Sequence, residues 1–533
     1  MNRLLAYSLA VVLTCISSLG HAAELMPPSV MSELGLTQAW ARPMHVPIGA
    51  QSIASQQLFV HQQNPREYVE IVTVPAEVPA AEGSEAAAPA EGKVLVRIPT
   101  DRIGATGQEV GRKEAERLAN NEIRRLKRRG VEAVINVRSV PRVHLYTVGS
   151  DGTLECRDAE SGEPIWMVRV GDNRLPYSTL GVSEDFLTVI NGANLIQVEA
   201  ATGEVMEEVR THGAPMFGAV NSGDFAMIPI VGGGIAGYPL YDPTRDPFFE
   251  RVAGSALSVP TKSPESSKTA WGTSQGFVYV MELEGSPSVL FRLNTDGIVG
   301  GKVAAASGDR FFFGSEQGQV YGVRATRSGD VIWSQPFGEP FYHEPMVVGD
   351  QVLIRSTYGN LYALDIETGL QTWNGPVSNL GELLGTINGR VFATTLSGSL
   401  IVLDLKTGQR IGSYNHVRPS NFLVNTLTDR LYLISEGGDV QCLRMEDAKL
   451  PTFATASDAG PKQKAVQEKP KPEATTPFGP AGGGDPFGAG GNDPFGAGGG
   501  NDPFGGGGGG NDPFGGGGDA AMDDPFGGNP FGN

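Results

Sequence analysis

From about residue 131 to residue 446 the chain consists of short runs in which apolar side chains dominate or alternate with polar ones, each ended by Gly, Asn, Asp or Ser. Such runs predict β-strands. They also repeat. Phe312 to Val323, with Thr326, Ser328-Gly329 and Trp333 behind it, recurs as Leu353 to Leu364 with Asp365, Thr368-Gly369 and Trp373. It recurs again as Leu145 to Cys156 with Asp158, Ser161-Gly162 and Trp166, and as Phe392 to Leu403 with Asp404 and Thr407-Gly408. Weaker copies run from Leu187 to Val198, Ile228 to Leu240, Ala270 to Met281 and Leu431 to Leu443.

The central turn residues are Gly152, Asn194, Gly234, Gly276, Gly318, Gly359, Gly398 and Gly438, at intervals of 42, 40, 42, 42, 41, 39 and 40. Glycine or asparagine stands there because the turn needs a residue that tolerates positive φ. The Asp-x-x-Thr-Gly turn that follows uses a carboxylate or hydroxyl to bond nearby amides. A tryptophan four residues past that glycine can cover the seam between neighbouring units. One four-stranded unit is too small to be stable alone, and stacking units into a ring buries their faces. A period of ~40 residues with four strands per unit is propeller spacing.

The predicted fold is therefore all-β: an eight-bladed β-propeller with an N-terminal helix and disordered ends. The count falls to seven if the third copy, with Gly232-Gly233-Gly234, is an insertion. The last unit has no turn and tryptophan after Leu443, so an earlier strand must complete it, and Ala133 to Val137 is the expected one.

Gly314-Ser-x-x-Gly-x-Val-Tyr-x-Val and Tyr362-Ala-Leu-Asp-Ile-Glu-Thr-Gly369-x-x-x-Trp373 resemble the pyrroloquinoline-quinone-like (PQQ-like) propeller repeat family over roughly residues 131 to 446. The resemblance implies the fold. It leaves function open, because the family includes quinoprotein dehydrogenases and cofactor-free scaffolds such as the propeller subunit of the outer-membrane β-barrel assembly machinery. In character the chain is closer to the scaffolds. Quinone-bearing members carry adjacent cysteines, a tryptophan stacked on the ring, calcium ligands and a catalytic aspartate, and no adjacent cysteine pair occurs here.

The remaining chemistry-bearing residues fall in repeat slots. Trp166, Trp333 and Trp373 and the glycines Gly162, Gly329, Gly369 and Gly408 belong to the structural repeat, and Asp158, Asp365 and Asp404 to its turn. Cys156 and Cys442 each follow a marker glycine by four residues, where other copies hold Val198, Val280, Gly322, Ala363 and Val402. That points to small buried packing, with a disulfide across the closure as the alternative. Seven scattered histidines offer no His-x-x-x-His pair. The expectation is no catalytic site, no cofactor and no metal.

Met1-Asn2-Arg3, the apolar run Leu4 to Leu19 and Gly20-His21-Ala22-Ala23 read as a secretory leader cut after Ala22 or Ala23. Cys15 would fit a lipoprotein, for which Thr14 is a poor preceding residue. No second run of spanning length follows. A net charge of −18 argues against nucleic acid and against acidic membranes as partners. The expected divisions are 1–22 leader, 23–104 extension with an Ala/Pro/Glu-rich linker, 105–130 basic amphipathic helix, 131–449 propeller and 450–533 tail. The helix, Gln108 to Arg129, sets Ala115, Ala119, Ile123 and Leu126 on one stripe and carries eight basic and four acidic residues. It is expected to pack on the propeller, with docking to an anionic surface as the alternative.

The tail repeats Pro-Phe-Gly on glycine spacers, presenting Phe478, Phe487, Phe495, Phe504, Phe514, Phe526 and Phe531. Seven identical weak elements on a string suit multivalent partner binding, with an inert spacer as the alternative. The function expected from sequence is an exported, non-catalytic scaffold in the periplasm or cell envelope, binding protein partners of unknown identity. The alternatives are a quinone-dependent dehydrogenase and a carbohydrate- or wall-binding propeller.

Overall fold

The computed structural model describes residues 25–47, 52–74, 93–101 and 109–453. The expected leader, the middle of the Ala/Pro/Glu-rich linker and the seven tail phenylalanines lie outside the described residues.

Among the described residues the alternating runs form eight antiparallel sheets, and the fold is a β-propeller. Sheet 1 holds residues of 53–169, sheet 2 181–210, sheet 3 220–251, sheet 4 261–294, sheet 5 304–336, sheet 6 346–365, sheet 7 380–414 and sheet 8 421–445. The first strands of successive sheets from 2 to 6 touch one another and so converge on the axis. Successive sheets bury apolar faces against each other. Phe312, Val320 and Trp333 of sheet 5 meet Val352, Ile354 and Tyr362 of sheet 6, and Leu353 and Ala363 of sheet 6 meet Val391 and Ile401 of sheet 7. Tyr432, Ile434 and Cys442 of sheet 8 pack with Val143 and Leu145 of sheet 1.

The strand that completes sheet 8 differs from the expected one. Strand β1, Leu36–Pro43, pairs antiparallel with 439–445 as the fourth strand of sheet 8, from Leu36 opposite Met445 to Pro43 opposite Asp439. Ahead of it, helix α1 (Pro28–Glu33) drops Val30 and Met31 into the core shared by sheets 7 and 8. Ala133–Val137 is excluded from that role because its backbone bonds are already used elsewhere.

They are used in an arm. Strand β2, Ile53–Thr73, pairs with Arg142–Gly149 of β4 (Ala133–Gly149) as the first strand of sheet 1. Past His61 the same two strands run on, pairing Arg66–Thr73 with Ala133–Val140, and β3 (Val94–Pro99) adds to the free edge of β2. At roughly 3.3 Å per residue the ribbon extends about 25 Å beyond the blade. Helix α2, Gly111–Arg128, lays Ala115 and Ala119 on Val69 and Ile71 of that ribbon, with Ile98, Ile123, Leu126 and Ile135 around them. The expected apolar stripe is therefore the buried face, but it packs on the arm and not on a blade. Two alanines at the contact let helix and sheet approach closely.

Candidate interaction surface

The repeat residues are committed to the seams. Trp166 lies over Gly203 of the next sheet and donates its indole N–H to Ala200 O at 3.0 Å. Trp333 does the same over Gly369, to Ile366 O at 3.0 Å, and Trp373 over Gly408, to Leu405 O at 2.9 Å. Gly369 and Gly408 have φ of +70° and +72°, and a Cβ at either would come within 2.6 Å of the ring. Gly162 is covered by Trp40 of β1, whose indole N–H reaches Ala159 O at 2.9 Å, and Gly329 by Phe291. Trp40 was missed in the sequence because no Asp-x-x-Thr-Gly turn precedes it.

The turn aspartates are committed too. Asp365 Oδ1 accepts the amides of Glu367 and Thr368 at 3.1 and 2.8 Å and the Thr368 hydroxyl at 2.7 Å. Asp404 repeats this with Lys406 and Thr407, and Asp158 takes the amides of Glu160 and Ser161. These bonds favour the ionised form and hold Asp365 and Asp404 below the usual carboxylate range. Cys156 lies in register between Tyr146 and Trp166, and Cys442 between Tyr432 and Trp40. Both thiols are free and buried, and burial pushes them up, so they remain protonated. The alternative of a disulfide across the closure is not realised. Among the described residues no three His, Cys, Asp or Glu side chains form a metal-binding group.

Two histidines that looked isolated in the sequence meet at the root of the arm. His61 Nδ1 lies 3.1 Å from Glu184 Oε2 of sheet 2, and His61 Nε2 lies 2.9 Å from the Tyr146 hydroxyl. His144 Nδ1 is 3.2 Å from the same hydroxyl. Burial alone would raise Glu184, but the bonds from His61 and the Gln62 amide outweigh it and keep the carboxylate ionised. An ionised carboxylate only accepts, so Nδ1 of His61 donates to it. Burial and the neighbouring His61 pull His144 down to about 4. The chain of bonds fixes where the arm leaves the ring. Arg66 strengthens the same corner through Asp101 at 2.6 Å and Asp158 at 2.9 Å.

On the ring, the turns of sheets 5 to 7 expose large side chains next to one another: Tyr358 at 64%, Leu396 at 59% and Tyr342 at 42%. Leu396 reaches Gly359, and the Thr357 amide bonds Pro340 O at 2.9 Å, which draws the Tyr342 loop to the Tyr358 turn. Nearby, the buried Arg355 holds Glu382 Oε1 at 2.8 Å and His343 Nδ1 at 2.6 Å. Exposed aromatic and aliphatic side chains next to a buried, hydrogen-bonded arginine match the make-up of protein-binding hot spots.

Fold and repeat together define the class, a β-propeller of PQQ-like repeats. Residues 262–447 match the family model described as outer membrane protein assembly factor BamB. No curated protein matches the chain. Among solved structures, BamB from Moraxella catarrhalis is 17% identical, with 57% of this chain and 92% of that chain covered at a TM-score of 0.46. The computationally designed Ika8 protein is 14% identical, covering 56% and 92% at a TM-score of 0.46. Sqt1 of Saccharomyces cerevisiae is 10% identical, covering 56% and 92% at 0.44.

Proposed function

We propose that the chain is an exported, non-catalytic scaffold of the cell envelope: an eight-bladed ring, closed by Leu36–Pro43, that binds protein partners through the Tyr342, Tyr358 and Leu396 patch. Cleavage after residue 22 or 23 releases it, and the seven Phe478-to-Phe531 motifs add multivalent contacts of their own. The observation that carries this reading is that the patch lies inside residues 262–447, the span shared with an assembly-factor family. The repeat tryptophans and aspartates support it, because the indole N–H groups of Trp166, Trp333 and Trp373 and the Oδ1 atoms of Asp365 and Asp404 are spent on seams and turns.

The test is capture of partners from envelope extract by three proteins: the mature chain, a version ending at Leu450, and Tyr358→Ser with Leu396→Ser. Loss of the retained protein with the double substitution, at unchanged melting temperature, is the expected result. Loss only on truncation would transfer recognition to the tail. Bound quinone absorbance with calcium-dependent dehydrogenase activity in the purified chain would contradict the scaffold reading.

A further inference from the structure

We propose that the distal tip of the arm docks on an anionic lipid bilayer. Helix α2 starts near the ring, where Gly111 donates to Thr100 O, and ends at the far end of the ribbon, where Val74 donates to Glu132 O and Thr73 to Lys93 O. Its last turns therefore carry Arg124, Arg125, Lys127, Arg128 and Arg129 to the tip, all exposed, with Lys93 alongside. Of the five, only Arg125 has an acidic partner among the described residues, Glu122 at 3.0 Å. The other helix acids, Glu114 and Glu116, are held by Arg117 and Arg112 further from the tip. Glu132 is the one exposed acid of the described tip.

Apolar side chains stand exposed at the same end of the ribbon, on its face away from α2: Val134 at 52%, Val74 at 46% and Leu95 at 37%. A helix C-terminus accounts for one or two basic residues through its dipole. It does not account for five with Lys93 beside them, nor for exposed valines. Cations on the helix layer and apolar side chains on the opposite ribbon face, both at the one end of the arm, fit an interface in which valines enter the acyl boundary and cations meet phosphate headgroups. A soluble polyanion would use the charges and have no use for the valines. The contrast with a chain of net charge −18 is local and sharp, since an acidic ring is repelled from such a surface and the arm holds it away by about 25 Å.

The occupant that competes for the tip is the linker 75–92, which joins Val74 to Lys93, carries Glu77, Glu82, Glu85 and Glu91, and lies outside the described residues. This inference goes beyond the protein-partner reading and uses purified components, so its failure leaves the extract experiment untouched. The experiment is flotation of the mature full chain with vesicles of phosphatidylcholine alone or mixed with phosphatidylglycerol.

Binding to the mixed vesicles only, weakened by salt, is expected. Each basic residue removed should lower partitioning about fivefold, so Arg124→Gln, Lys127→Gln and Arg128→Gln together should abolish it at unchanged melting temperature. Val134→Ser should weaken it as well. Equal binding to both vesicle types, or binding untouched by the triple substitution, would overturn the proposal. So would binding that appears only when the four linker glutamates are changed to glutamine, which would make the linker the occupant.

Discussion

The seam between sheets 5 and 6 and the seam between sheets 8 and 1 do the same job with different chemistry. The first lies within continuous chain and is apolar in its core, with the Arg310–Glu367 pair at its edge: Trp333 on Gly369, Phe312 stacked on Trp333 at 5.7 Å, and Val352, Ile354 and Tyr362 opposite. The second must capture a strand from the far end of the chain. It keeps the tryptophan-on-glycine contact, Trp40 on Gly162, and adds buried charge.

Arg157 and Glu155, each 2% exposed, pair at 2.5 Å, and Arg157 also donates to Gly162 O and Pro43 O at 2.9 Å. Glu155 accepts the His45 amide at 3.1 Å, and the fully buried Arg430 joins Asp429 to Glu160 across the seam. Gln441 bonds both Met26 and Gln38. Apolar contact is indifferent to register, whereas buried polar groups are costly unless each meets its partner. A strand joined through some 400 intervening residues needs the second kind of contact to be placed uniquely.

The largest effect should come from removing residues 25–47. The ring then has an open edge and two exposed core faces, and the cooperative thermal transition should be lost, as followed by calorimetry. Next, Trp40→Ala and Trp333→Ala should each destabilise by about 3–5 kcal/mol. Equal values in denaturant unfolding would show that the closing strand carries a full share of the ring, and a much smaller value for Trp40 would break the comparison. Arg157→Leu alone should cost about 3–5 kcal/mol by stranding Glu155, while Arg157→Leu with Glu155→Leu should recover most of it. A double variant as unstable as the single one would deny the pair its register role.

Smallest is a pH effect confined to the first sheet. His144 is held at about 4 in the fold against 6.5 when unfolded, so below pH 6.5 the unfolded chain binds a proton that the folded chain refuses. Stability should fall as pH drops from 6.5 to 4, by at most about 3 kcal/mol, and level off below. His144→Phe should remove that slope.

The repeat made the sheets, the turn glycines and the tryptophan slots legible, because each copy repeats the same steric demand some 40 residues on. The closing strand was not legible. Leu36–Pro43 has no following turn motif, and Ala133–Val137 stands directly before the first unit with an equally good strand pattern. What decides between them is that β4 is already bonded to β2, a pairing across more than sixty residues that local pattern does not encode. The arm was half legible. The helix stripe could be read, but that β2 continues from blade to arm could not. The His61, His144 and Glu184 chain was invisible for the same reason, since its members come together only when the arm root meets sheet 2.

The closure itself is tested most directly by a disulfide across β1 and its partner strand. Thr37 and Arg444 stand opposite each other in register, so Thr37→Cys with Arg444→Cys, in a mature chain carrying Cys156→Ala and Cys442→Ala, should cross-link within one chain under mild oxidation. The account predicts near-complete intramolecular bridging and a higher melting temperature than the reduced form. Free thiols after oxidation, or bridging only between chains, would contradict a ring closed by its own N-terminal strand.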